Sequence, residues 1–133
     1  EYVYLVNKTG DNMARIMIVD DSNYLRATIR AAFEASGHEV VAEADNGEDA
    51  VDIYAKIRPD AVTMDIIMPK GNGLQAITKI MEFDQDARIV VITALGHEPM
   101  IRKALSFGAL NFVIKPAEPE EILEAVEGVL SGM

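Results

Sequence analysis

Arg88-Ile89-Val90-Val91-Ile92-Thr93 sets four branched apolar residues in a row between a charge and a hydroxyl. A strand with one wet face alternates apolar and polar side chains, so an unbroken apolar run suits a strand covered on both faces, as in a parallel sheet clad by helices. Residues 98–107 then read as a helix stopped at Gly108, and another apolar run, Phe112-Val113-Ile114, follows at once.

The same strand-then-helix alternation recurs along the chain and gives five units. Ile16-Met17-Ile18-Val19 precedes a helical stripe of Leu25, Ile29, Ala32 and Phe33, with Ser22 or Asn23 available to cap it and Gly37 to end it. Residues 39–44 read as a second strand, and Asn46-Gly47 opens a helix through Ala50, Val51, Tyr54 and Ile57 that Pro59 terminates. Ala61-Val62-Thr63-Met64 runs into Asp65, with a short helix expected over 74–81 and the fourth strand over 88–93. The last helix begins near Pro119 and is expected to bury Ile122, Leu123, Val126, Val129 and Leu130. The fold class expected is α/β, a flavodoxin-like doubly wound parallel sheet with strand order 2-1-3-4-5. Ligands of such sheets bind beyond the carboxyl ends of the strands where the order reverses, between strands one and three.

A chain of 133 residues, half of them hydrophobic and 26% charged, suits one domain with a single core. Twelve Lys plus Arg against 22 Asp plus Glu give a net charge of -10, which repels nucleic-acid phosphates and anionic lipids. The absence of cysteine excludes disulfides, thiol catalysis and zinc-thiolate sites, and fits the cytoplasm. No apolar stretch approaches membrane-spanning length and no signal peptide is visible, so no membrane insertion is expected. Residues 1–12 fall outside the five-unit pattern and are expected to be an N-terminal extension, either a tag remnant or a frayed terminus, with 13–133 as the domain. Tyr2-Val3-Tyr4-Leu5-Val6 offers an alternative, an edge strand that pairs with another molecule.

Four of the apolar runs end in reactive polar groups: Asp20-Asp21, Asp65, Thr93 and Lys115. Singly, each has an ordinary structural explanation, such as helix capping for the two aspartates or a solvated lysine before a proline. Together they place three carboxylates at the switch point, where like charges disfavour joint ionisation unless a cation joins them. Oxygen ligands without His or Cys point to Mg2+, which commonly bridges to phosphate. A carboxylate can then serve as the nucleophile that forms an aspartyl phosphate, with Lys115 and the Thr93 hydroxyl facing the transferred oxygens.

Val19-Asp20-Asp21-Ser22, Met64-Asp65-Ile66-Ile67-Met68-Pro69 with Gly73, Val91-Ile92-Thr93-Ala94, and Gly108-Ala109 through Asn111-Phe112-Val113-Ile114-Lys115-Pro116 resemble the receiver domain of two-component response regulators. The resemblance covers Met13 to about Leu130. Within the family the chain is most similar to the stand-alone chemotaxis regulators of the CheY type. A receiver excised from a multidomain transcriptional regulator would read the same way.

The resemblance implies Asp65 as phosphoacceptor from a CheA-like histidine kinase, Asp21 as a direct Mg2+ ligand, and Asp20 as a second acidic residue acting directly or through water. Ile67 would add a backbone carbonyl to the metal. Thr93 would carry the switch hydroxyl, Phe112 the aromatic that packs inward with it, and Lys115 the cation on the phosphoryl oxygens, with Lys115-Pro116 cis as in relatives. Phe112 also reads as ordinary core. The positions that tune phosphoryl lifetime in relatives hold Ile67 and Leu95 here, and neither side chain can orient a water, which implies slow self-dephosphorylation and a separate phosphatase. His97 is expected to be a solvated loop residue, and His38 structural or exposed. Such a protein is a phosphoacceptor that assists its own phosphorylation rather than an enzyme, and it would switch a face of helix four, strand five and helix five toward a flagellar switch or adaptor protein. Two other classes are an Asp-nucleophile phosphohydrolase, which usually carries D-x-D after the first strand where this chain has Asp20-Asp21-Ser22, and a phosphorylation-independent binding module, which usually lacks one of the acidic or basic groups present here.

Overall fold

Each apolar run forms a strand in a computed structural model, which describes residues 13–94 and 96–132. The 1–12 extension and Leu95 lie outside the described residues, and with them the edge-strand and lifetime-tuning expectations. In chain order the elements are β1 (Arg15–Val19), α1 (Asn23–Ala35), β2 (Glu39–Ala44), α2 (Gly47–Ile57), β3 (Ala61–Asp65), α3 (Gly73–Phe83), β4 (Ile89–Ala94), α4 (Glu98–Phe107), β5 (Asn111–Lys115) and α5 (Pro119–Ser131). The five strands form one sheet in the order β2-β1-β3-β4-β5, parallel at every pairing, as the sequence pattern predicts.

The unbroken apolar runs are explained by two cores, one on each face. Successive strand residues point to opposite faces, so Ile16, Ile18, Val90, Ile92 and Val113 pack under α1 and α5 with Ile29, Phe33, Ile122 and Val126. Met17, Val19, Val62, Met64 and Val91 pack on the other face against Tyr54 of α2, Ile77 and Ile80 of α3, and Ile101 of α4.

Element ends follow local chemistry. The Ser22 hydroxyl accepts the Leu25 N–H at 3.1 Å and the Asn46 side chain accepts the Asp49 N–H at 2.8 Å, so each caps its helix. Arg58, in a left-handed conformation at φ 47°, ends α2 before Pro59. Two boundaries differ from expectation. The helix expected over 74–81 runs from Gly73 to Phe83, because the Asn72 side chain accepts the Gln75 N–H at 3.0 Å and Asp84 rather than Met81 meets the final carbonyls. The fourth strand shifts one residue along to Ile89–Ala94, since its last rungs pair Thr93 with Ile114 and Ala94 with Lys115. In α5, Leu123 is only partly buried, at the margin of the stripe that its neighbours bury fully.

Candidate functional site

Register decides which side chains meet. Val19 of β1 lies opposite Met64 of β3, so the next residue along each strand, Asp20 and Asp65, falls on the same face at the carboxyl end of the sheet. Asp21 joins them, and ligand oxygens of Asp20, Asp21 and Asp65 lie within 4.8 Å of one another. Asp20 and Asp65 are buried, whereas Asp21 opens to solvent. The carboxylate cluster expected from the strand ends is therefore assembled.

Lys115 comes to it from the end of β5, two strands away. Its Nζ donates to Asp20 Oδ2 at 3.0 Å and to Asp65 Oδ2 at 3.5 Å, so one ammonium spans the two buried carboxylates. The peptide bond to Pro116 is cis. Burial favours the neutral amine of Lys115, but the Asp20 hydrogen bond and the Asp65 charge outweigh it and hold the pKa above its ordinary value. For Asp65 the balance goes the other way. Burial, the largest cause, pushes its pKa up to about 6, with Lys115 opposing, Asp20 adding, the Ile67 N–H opposing and Asp21 adding. One lysine beside three carboxylates leaves like charges in close company, a donor set suited to a divalent cation.

Backbone contacts hold the carboxylates in place. The Ser22 N–H donates to Asp20 Oδ1 at 2.9 Å, and Arg26 Nη1 donates to the Asp20 carbonyl at 2.6 Å. Asp65 Oδ1 accepts the Ile67 N–H at 3.3 Å, which turns the chain directly after β3 and leaves the Ile67 side chain half exposed beside the site. The loop then folds back tightly. The Gly73 N–H donates to the Ile66 carbonyl at 2.8 Å, and a Cβ at Gly73 would stand 2.2 Å from the Asp65 carbonyl. Gly47 anchors the same loop from α2, donating to the Lys70 and Gly71 carbonyls, and a Cβ there would sit 2.3 Å from Gly71 O. Any larger residue at either position would displace the turn that carries Ile67.

Arg26, Gly47 and the positioning use of Gly73 escape a reading of motifs alone. Gly73 had a visible signal in Lys70-Gly71-Asn72-Gly73, a loop dense in glycine before a helix. Arg26 had none, since its contact depends on where the first turn of α1 lies over β1.

Thr93 and Phe112 lie on β4 and β5 as the apolar runs predict, but their surroundings differ from what the motifs show. Thr93 is fully buried, and its Oγ1 lies 2.9 Å from His97 Nδ1. This corrects the expectation of a solvated loop for His97, which is partly buried because its ring turns back onto the end of β4. Phe112 is 40% exposed, which corrects its reading as core: it lies near the start of β5, an edge strand paired on one side only. His38 is structural, one of the two roles expected for it, buried with Nδ1 accepting the Ala14 N–H and Nε2 against Glu127.

The family model for the response regulator receiver domain matches residues 16–127. The chain belongs to the response regulator receiver family. This receiver is 42% identical to the chemotaxis protein CheY of Thermotoga maritima over 115 residues, covering 86% of this chain and 96% of that protein. It is 41% identical to the Bacillus subtilis protein CcdB, covering 89% of this chain and 98% of that protein. Among solved structures, a CheX–CheY–BeF3–Mg complex from Borrelia burgdorferi matches with a TM-score of 0.86 and 35% identity over 97% of this receiver and 98% of that chain. The two-component signalling class, the flavodoxin-like fold and the strand order are thereby shown. Among the described residues no helix is long and apolar enough to cross a membrane.

Proposed function

We propose that this receiver accepts a phosphoryl group on Asp65 from a phosphohistidine of a CheA-like histidine kinase, and that residues 13–133 are its response regulatory domain. The observation that supports this best is Lys115 Nζ lying between Asp20 Oδ2 and Asp65 Oδ2 at the open end of the sheet, with Asp21 completing an all-oxygen cluster. That donor set fits Mg2+, with Asp20, Asp21, Asp65 and the Ile67 backbone carbonyl as the groups that would hold it. Bound there, the ion would neutralise negative charge on the carboxylates and on the transferred oxygens. Asp65 supplies the nucleophilic carboxylate oxygen: the new P–O bond forms as the P–N bond of the donor breaks, and the histidine leaves as neutral imidazole after taking a proton. Lys115 gives up its grip on Asp65 to pair with the phosphoryl oxygens, and the Thr93 hydroxyl turns to donate to one of them.

Signalling follows from populations, since the phosphoryl group stabilises the arrangement in which Thr93 faces it and Phe112 packs inward. That change alters the face of α4, β5 and α5, which presents Leu105, Phe107 and Phe112 to solvent. The output proposed is chemotaxis, by contact with a flagellar switch or adaptor protein in the cytoplasm. The CheY relatives, 42% identical to this receiver, support the chemotaxis reading. Ile67 offers no group to orient a hydrolytic water, so the phosphoryl group is held long enough for a separate phosphatase to matter; the lifetime role assigned to Leu95 belongs to the same proposal.

Incubation with acetyl phosphate and Mg2+ tests the central claim. Acid-labile phosphate is expected on the wild-type chain and absent from Asp65→Asn or after chelation. Phosphate persisting on Asp65→Asn would remove Asp65 from its role.

A further inference from the structure

Thr93 is fully buried at the end of β4 with its hydroxyl 2.9 Å from His97 Nδ1. His97 is also the N-cap of α4, yet its side chain makes no capping hydrogen bond to that helix. N-cap side chains ordinarily satisfy the free N–H groups of the first turn. His97 leaves this to its backbone carbonyl, which accepts the Met100 and Ile101 N–H groups at 2.9 and 3.0 Å, and commits its ring to Thr93 instead. The neighbouring Glu98 is likewise turned back, accepting the Gly96 N–H at 3.3 Å. The start of α4 is thus tied to the end of β4 through a side chain that local helix chemistry would not choose.

A threonine hydroxyl has one proton to donate. In the tautomer that carries the ring proton on Nε2, His97 Nδ1 accepts the hydroxyl proton, which is then not available to a phosphoryl oxygen on Asp65. We propose that His97 is a positioning residue that holds the Thr93 hydroxyl away from the phosphoacceptor and links its release to the first turn of α4. The proposal rests on the reading of Asp65 as phosphoacceptor and Thr93 as the responding hydroxyl. A hydrogen bond present in one state and absent from the other biases their equilibrium by its own net free energy. Removing it therefore favours the state in which Thr93 faces the site. Phosphorylation in turn must break the bond, which frees the His97 ring and loosens α4 from β4 on the side that leads to the exposed α4–β5 face.

The test is titration of the full chain with beryllofluoride in Mg2+, followed by amide and histidine-ring nitrogen resonances. His97→Leu and His97→Ala are each expected to tighten beryllofluoride binding by about three- to tenfold, the range that one net hydrogen bond allows. The gain should vanish in a Thr93→Val background, where no hydroxyl remains to be held, a result that a merely structural role for His97 would not produce. In the wild type the His97 Nδ1 resonance should move on saturation while that of His38, at the other end of the sheet, stays in place. Unchanged or weaker binding in both His97 variants, or a gain that persists with Thr93→Val, overturns the role of His97 and leaves Asp65 as phosphoacceptor untouched. Failure of the wild type to bind beryllofluoride overturns the phosphoacceptor reading and this proposal with it.

Discussion

At the amino-terminal end of the sheet His38 accepts the Ala14 N–H at 3.0 Å while its Nε2 meets Glu127 at 2.8 Å, and the Arg15 N–H donates to Asp60 Oδ2 at 2.8 Å. The Arg15 guanidinium adds the Ile57 and Arg58 carbonyls, both at 2.9 Å. Every one of these donors has an acceptor, and the Ala14 N–H leaves His38 no choice of neutral tautomer, with Nε2 carrying the proton toward Glu127. At the carboxyl-terminal end Asp20 and Asp65 are equally buried but share one ammonium. The first end is matched and serves stability; the second crowds three carboxylates around one ammonium, which raises the Asp65 pKa and costs stability, a common mark of a functional site.

The largest effect should come from the unmatched end. Asp65→Asn is expected to abolish acid-labile phosphorylation while the chain stays folded, as read by phosphate release and circular dichroism. If the two ends differ as described, the same change also stabilises the metal-free protein. A carboxylate whose folded pKa is raised contributes its stability fully below its ordinary value of 3.8 and loses it as pH rises through about 6. Urea unfolding between pH 4 and pH 7 should therefore show a decline of roughly 1–2 kcal/mol in the wild type, discounted for residual hydration, that Asp65→Asn lacks. A variant with no gain at pH 7 would break the contrast.

Mg2+ should repair that deficit. A cation at a hundredfold excess over its dissociation constant stabilises the fold by about 2.7 kcal/mol, visible as a raised urea midpoint. Little of this gain should survive Asp21→Asn or Asp65→Asn, whereas His38→Ala should leave it intact.

The matched end predicts the reverse pattern. His38→Ala strands the Ala14 N–H and opens space against Phe33, whose ring centroid lies 5.9 Å from that of His38. A loss of roughly 2 kcal/mol is expected in unfolding, with the initial rate of phosphorylation unchanged. Reduced phosphorylation in the folded His38→Ala protein would show that the two ends are not independent. The smallest effect concerns the rim of the site: Ile67→Asn, which places an amide where a water could be oriented, should shorten the phosphoryl lifetime severalfold without altering stability, as followed by decay of the labelled protein.

Much of this is legible in the sequence. Ile89-Val90-Val91-Ile92 has no polar member because both faces of β4 are covered, and that need is written into consecutive residues. Asp65 was legible for a related reason: an apolar run that breaks off in a carboxylate, repeated at Asp20 and Asp21 and answered by Lys115, has few ordinary explanations. Thr93 was identified as a reactive strand end, but its partner was not, because the His97 contact depends on how the loop after β4 folds back. The same limit applies to Phe112: the expected strand order already puts its strand at the edge, but does not say how far its ring stands out from the helices beside it.

Periodicity and chain stops, set by neighbours a few residues apart, were enough to specify the five βα units, their parallel order and the polar groups at the strand ends. The sharing of Lys115 between Asp20 and Asp65, the packing of Gly73 against the Asp65 carbonyl and the commitment of His97 to Thr93 came only with the folded sheet. Each of these joins residues brought together by strand register and loop closure, whose distances no local pattern encodes.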